Sequence, residues 1–292
     1  MANLNGIDTA SYQAGLDPRK VPMDFNIVKA TQGVAYINPD FTRMAKATVD
    51  AGKLIGIYHY AEGKDAKAEA DFFLRTIPGY IGKAVLALDW EGMQNPTFGT
   101  GRDVTWCKAF CDRVYEKTGV RCFIYMSKSV CREHDWKAVA KDYPLWCAQY
   151  ASMNRTGYQD RPWTDSSGFG AWKGPTIYQY SSRGALSGWW DNNSWKYLDL
   201  DLAYLTADQW RAWAKARPKK EVVILYPEKT DADLAVEILF DVYGTGDKRK
   251  KALAGRYDGA QADVERLLSG NKTSLLMAIQ QYLKRHGADK LI

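Results

Sequence analysis

Asp89 and Glu91 end an apolar run, Ala84 to Leu88, and stand two residues apart. In an extended segment residues i and i+2 share a face, so the two carboxyl groups project together, roughly 6–7 Å apart by strand rise. Carboxyls that close cannot both ionise freely, and one is held protonated near neutral pH. A proton-donating acid beside an ionised carboxylate is what acid-catalysed cleavage of a glycosidic bond requires. Asp8 follows the short run Gly6-Ile7, and Asp199 and Asp201 flank Leu200 in another apolar stretch. A lone Asp at such a place is more often a turn former or a helix cap, so Asp8 and Asp199 gain weight from coinciding with the Asp89–Glu91 pair. The chain has three histidines, His59, His134 and His286. That argues against zinc hydrolases, which need His ligands grouped, and against a Cys–His nucleophile pair. No metal and no cofactor is expected.

These acids need strands to place them. Eight β-branched or aromatic runs recur along the first two thirds of the chain: Gly6 to Asp8, Asn26 to Thr31, Leu54 to Tyr60, Ala84 to Asp89, Cys122 to Met126, Leu145 to Ala148, Ile177 to Tyr180 and Tyr197 to Leu200. Helical patterns fill the early gaps, at Asp40 to Ala51, Asp65 to Arg75, Asp103 to Thr118 and Arg132 to Lys141. Gly-, Ser- and Trp-rich loops join the later strands. This order predicts an α/β fold, an irregular eight-stranded, TIM-like β/α barrel with helices mainly in its first five units. Such barrels carry their chemistry at the C-terminal strand ends, where Asp8, Asp89 and Glu91 stand.

The whole chain has 292 residues, 46% hydrophobic and 25% charged, with a net charge of +6. That is globular composition, too weakly basic for a dedicated nucleic-acid binder. Five cysteines without a CxxC pair suit buried thiols in a reducing compartment. The N-terminus has no basic flank followed by an apolar run, so synthesis in a host cytoplasm without a signal peptide is expected, with no membrane insertion. All eleven tryptophans lie between Trp90 and Trp213, which implies two separate cores. The expected division is a catalytic barrel over 1–217, a charged, proline-punctuated linker over 218–230, a small helical domain over 231–270 and a terminal helix over 271–292.

Eight motifs in order resemble the glycoside hydrolase family 25 lysozymes, N-acetylmuramidases of Chalaropsis type common among phage endolysins. They are Gly6-Ile7-Asp8-Thr9-Ala10-Ser11-Tyr12-Gln13, Val28-Lys29-Ala30-Thr31-Gln32-Gly33, Gly56-Ile57-Tyr58-His59-Tyr60, Leu88-Asp89-Trp90-Glu91, Tyr125 after an apolar strand, Leu145-Trp146-Cys147-Ala148-Gln149-Tyr150, Gln179-Tyr180-Ser181-Ser182 and Leu198-Asp199-Leu200-Asp201. The resemblance implies cleavage of the β-1,4 bond between N-acetylmuramic acid and N-acetylglucosamine in peptidoglycan, with retention and with action on the wall after release. Glu91 would be the general acid and Asp89 the group that stabilises positive charge, with the intermediate either an oxazoline formed by the substrate's own 2-acetamido group under Asp89's orientation or a covalent enzyme ester. Asp8 and Asp199 would complete the acidic cleft. Aromatic platforms suit pyranose faces, which makes Tyr58, Tyr60, Trp90, Tyr125, Trp146 and Tyr150 binding candidates beside Lys29 and Gln179. Trp106, Trp210 and Trp213, at helical spacing, read as core. Gln32 replaces a frequent Glu of the family, and Asp201 a usual Asn, adding a negative charge expected to raise neighbouring pKa values.

The tail resembles the CW_7 cell-wall-binding repeat through Glu237-Ile238-Leu239, Gly244-Thr245-Gly246, Arg249, Leu253, Tyr257-Asp258 and Gln261. Three helices over 231–270 are expected, with Arg249, Tyr243 and Asp258 as wall contacts. The helix Thr273 to Arg285 carries Leu275, Leu276, Ile279, Tyr282 and Leu283 on one face, a surface on which a homo-oligomer could form. The competing reading is a non-catalytic peptidoglycan-binding protein on a degenerate barrel; the four intact acids weigh against it.

Overall fold

Among the described residues of the larger part of the chain, nine strands form one sheet: β1 (Leu4–Thr9), β2 (Phe25–Gln32), β3 (Tyr36–Ile37), β4 (Leu54–Tyr60), β5 (Val85–Asp89), β6 (Phe123–Ser127), β7 (Leu145–Ala148), β8 (Ile177–Gly184) and β9 (Leu198–Ala203). The computed structural model describes residues 3–191, 196–216 and 229–287. The chain divides into two units, Met1–Arg217 and Pro218–Ile292. Most of the expected linker, residues 218–228, lies outside the described residues.

The strand order β1-β9-β8-β7-β6-β5-β4-β2 closes on itself through a β1–β2 pairing, and β3 hangs on β2 as a short hairpin. Neighbours run parallel except β9, which is antiparallel to both β8 and β1. The barrel is therefore mixed. This reversal matters for Asp199: it begins β9, yet it pairs with Asp8 near the end of β1 and so reaches the same rim as the C-terminal ends of the parallel strands.

Side chains alternate across each strand, so the barrel wall serves two cores. Inside are Phe25, Ile27, Val85, Ala87, Phe123, Ile177 and Ala203; outside are Ile7, Val28, Ile57, Leu86, Leu88 and Ile124. Gly6 faces the interior with no room to spare, since a Cβ there would lie 2.3 Å from the Phe25 ring. Helices α1 (Phe41–Asp50), α2 (Ala66–Thr76) and α3 (Asp103–Thr118) bury Met44, Phe73, Trp106 and Phe110 against the outer face. Asp65 caps α2 by accepting from the Lys67 and Ala68 amides at 2.9 Å, and Gly119 ends α3 at φ 70°.

The expected helix Arg132 to Lys141 is instead two single turns, α4 (Val130–Glu133) and α5 (Lys137–Ala140). His134 leaves the helix in an extended conformation, which lets Trp136 turn into the core and donate its indole N–H to the Val130 carbonyl at 2.9 Å. Helix α6 (Ala207–Ala214) closes the barrel at the strand N-termini: Trp210 stacks on Phe25 at 4.5 Å and donates to the Ile55 carbonyl. Truncating a residue so placed costs about 3–5 kcal/mol. All five cysteines are buried free thiols.

Among the described residues the smaller unit has four helices, α7 (Asp231–Leu239), α8 (Gly246–Leu253), α9 (Tyr257–Ser269) and α10 (Lys272–His286). Its core gathers Leu234, Val236, Ile238, Tyr243, Leu253, Val264, Leu267 and Tyr282. The terminal helix thus belongs to this core: Tyr282 is fully buried and Leu275 and Ile279 pack against the cluster, leaving only Leu276 and Leu283 of the apolar stripe exposed. No helix among the described residues is long and apolar enough to cross a membrane.

Candidate functional site

A cleft of about 620 Å³ opens where the parallel strands end. Asp8, Asp89, Glu91 and Asp199 all line it, as do Lys29, Tyr58, Tyr60, Tyr125, Trp146, Tyr150 and Gln179. They come from all eight staves of the ring, Tyr58 and Tyr60 both from β4, with Glu91 just past the end of β5 and Tyr150 just past the end of β7. Trp90 does not line it. The alternation that turns Asp89 and Glu91 inward turns Trp90 outward, where it is fully buried, donates its indole N–H to Asp103 at 3.2 Å and packs on Trp106 at 5.0 Å. It anchors the segment carrying the acids from behind.

The acids are poorly partnered. Asp89 Oδ1 is buried and has no hydrogen-bond donor. Burial pushes Asp89 well above the usual carboxylate range, Glu91's charge adds to this, and Lys29 pulls the other way. Glu91 is also raised by burial, against a hydrogen bond from Tyr125 and the charge of Lys29. Burial and the charges of Asp8 and Glu91 lift Asp199. The outcome is a pocket that resists holding all its charges at once.

Lys29 supplies the balancing cation. Its Nζ donates to Gln32 Oε1 at 2.8 Å and lies 4.4 Å from the centre of the Tyr60 ring. With an amide at position 32, its positive charge is left to face Asp89 and Glu91. On the opposite wall Gln179 is the hub: its Nε2 donates to Asp8 at 2.6 Å, and its Oε1 accepts the hydroxyls of Tyr125 at 2.8 Å and Tyr150 at 2.5 Å. Trp146 stands edge-on to Tyr125 and Tyr58, and its indole N–H is fixed by Asp201 at 2.8 Å.

Other lining residues are ones that strand reading passes over: Tyr12, Gln13, Gln32, Tyr36, Met93 and Gln94. Tyr12 is 91% exposed at the rim. Gln13 folds back to accept from the Ala10 amide at 2.9 Å, holding the turn that presents Tyr12. Gln94 sits at φ 62° and accepts from Gln32 at 2.6 Å. Tyr12 and Gln13 were visible in the first motif and Gln32 in the second, whereas Tyr36 stands in the two-residue strand β3 and Gln94 in a connection, neither of which has a periodic signal.

In the helical unit the wall-contact residues expected from sequence are not brought together as a ligand face. Tyr243 is a core residue, buried with its hydroxyl on Glu237. Arg249 donates its Nε to the Gly244 carbonyl at 2.7 Å, tying down the turn before α8. Asp258 is exposed, as are Lys248, Lys250 and Lys251.

The sequence profile of glycosyl hydrolases family 25 matches residues 7–189. The chain is 30% identical over 196 residues to the uncharacterized protein YegX of Escherichia coli K12, a match covering 63% of this chain and 65% of YegX. It is 28% identical over 200 residues to an N,O-diacetylmuramidase of Chalaropsis sp, covering 63% of this chain and 91% of that one. Among solved structures, the bacterial lysozyme from Streptomyces coelicolor shares the fold with a TM-score of 0.60 at 23% identity, over 73% of this chain and 98% of the other. The catalytic domain of endolysin ply40 from Listeria phage P40 does so with 0.56 at 22%, also over 73% and 98%.

Proposed function

The chain belongs to glycosyl hydrolase family 25, and from that membership we propose that its barrel is an N-acetylmuramidase cutting the β-1,4 bond between N-acetylmuramic acid and N-acetylglucosamine of peptidoglycan. The observation that carries the reading is the Asp89–Glu91 pair in the cleft, with pKa values raised and one Asp89 oxygen left without a donor. Glu91, protonated, gives its proton to the leaving glycosidic oxygen as the C1–O bond breaks. Asp89 Oδ1 accepts the N–H of the substrate's 2-acetamido group. The acetamido carbonyl oxygen then closes on C1, and the resulting positive charge is balanced by Asp89. Glu91, now ionised, removes a proton from the water that reopens the ring, so the anomeric configuration is retained. Tyr58, Tyr60, Trp146 and Tyr150 offer ring faces and hydroxyls to the sugars.

We read the whole chain as a wall-lytic protein of the endolysin kind, the barrel cutting and the helical unit holding the wall. Support for the second role is the exposed lysines Lys248, Lys250 and Lys251 against an anionic polymer. The test is digestion of purified peptidoglycan followed by identification of the new reducing end. Reducing N-acetylmuramic acid is expected; reducing N-acetylglucosamine or freed peptides would overturn the reading.

A further inference from the structure

Asp201 does not line the cleft, and it is the deepest of the acids. It stands two residues beyond Asp199 on β9, hence on the same face, opposite Gly6 of β1 and Gln179 of β8, and it is fully buried. One oxygen accepts the Trp146 indole N–H; the other, Oδ2, is buried and receives no hydrogen bond from any amide, indole or hydroxyl among the described residues. The carboxyl beside it is that of Asp8, its diagonal cross-strand neighbour on the same face, since Gly6 pairs with Asp201 and Asp8 with Asp199. Ionised carboxylates are acceptors only, so a contact between two of them requires a proton.

Among the described residues no cation acts on it in its place. The groups facing Asp201 are Asp8 on β1, Asp199 on its own strand, Trp146 on β7, Tyr150 just after it, Tyr158 in the loop beyond, and Gln179 and Tyr180 on β8. Lys29 acts on Asp89 and Glu91 across the cleft. Gln179 donates to Asp8 and Trp146 to Asp201, one donor for each acid.

We propose that Asp201 is a positioning residue that shares one proton with Asp8, forming a carboxyl–carboxylate pair beneath the cleft with one negative charge where two would otherwise stand. The pair fixes Asp8 against Gln179, and through Gln179 it reaches Tyr125, whose hydroxyl also contacts Glu91. A continuous hydrogen-bonded path thus joins a residue out of reach of substrate to the proton donor. This deepens the muramidase reading and uses its cleft, but its first test does not depend on activity.

Burial lifts Asp201 to about 8, with Asp199 adding to the lift and Trp146 opposing it. The folded chain therefore binds this proton more tightly than the unfolded one, whose Asp titrates near about 4. Stability contributed by the proton is complete below about 4 and is lost as pH rises toward 8. Asp201→Asn removes the titration while its amide can still take the Trp146 N–H and donate to Asp8. The unfolding midpoint of the full-length variant, relative to wild type, is expected to rise by about 4 °C or more between pH 5 and pH 8. A difference that stays constant across that range would overturn the shared proton. Wild-type protein labelled at the aspartate carboxyl carbon gives an independent reading: one carboxyl resonance should remain protonated at pH 6 and vanish from the Asn variant's spectrum, and full ionisation of every aspartate at that pH would contradict the proposal. If the muramidase reading alone is wrong, both results stand and only the digestion assay fails.

Discussion

Asp89 in the barrel and Glu237 in the helical unit are both buried carboxylates, and their surroundings differ in kind. Glu237 accepts the hydroxyls of Tyr243 and Tyr282 and the ammonium of Lys229, the last at 2.7 Å. Nearby Asp233 bears the cost of burial yet is held below the usual carboxylate range, by Thr230's hydroxyl and amide and by the charges of Arg285 and His286. Asp89 keeps an oxygen with no donor, and Asp8, Asp199 and Glu91 share its upward shift. Buried acids that are saturated with donors hold a fold together. Buried acids left short of them are costly to keep, and a cleft lined with four acids all shifted upward, one of them with an oxygen lacking any donor, is organised around a ligand that supplies what is missing.

That contrast can be broken most severely at Glu91. Glu91→Gln keeps the volume and removes the proton, so peptidoglycan hydrolysis should fall by about 10³-fold while circular dichroism and the unfolding midpoint hold. A variant with more than a tenth of wild-type rate would remove Glu91 as the acid. The mirror experiment is Glu237→Leu, which removes the buried acceptor shared by Lys229 and two tyrosine hydroxyls. It should destabilise the helical unit by about 3 kcal/mol, read by calorimetry, while the barrel's rate on soluble glycan fragments is unchanged.

Smaller effects sharpen the picture within the cleft. Lys29 lowers both members of the catalytic pair, so Lys29→Met should move both limbs of the pH–rate profile about one unit to higher pH. A shift to lower pH would mean that Lys29 acts on something else. Tyr12 projects from the rim and supports nothing beneath it. Tyr12→Ala should raise KM by about fivefold, worth about 1 kcal/mol of sugar contact, with kcat and stability unaltered.

Much of this site was legible before any coordinates. Two acids on one face of an apolar strand can only meet in a cleft or a core, and the barrel pattern favoured the cleft. The same periodicity should have turned Trp90 away from the sugar, but its place between the acids made it look like a platform. The reversal of β9 is not written in local pattern: an apolar strand looks alike in either direction, and only the pairing of Asp199 with Asp8 reveals which rim it serves. In the tail, the stripe on α10 had the spacing of a free surface. Its central Tyr282 was already committed to Glu237, a partnership 45 residues distant that helical periodicity cannot disclose.

If under-partnered acids mark the working site, Asp89 should show it above all the others. Asp89→Asn removes a buried charge and its repulsion with Glu91 while preserving shape. Stability and hydrolytic rate measured side by side at pH 7 should show an unfolding midpoint at or above that of wild type with a rate lowered by at least about 10²-fold. A midpoint several degrees lower with the rate retained would make Asp89 a structural acid like Glu237 and contradict the account.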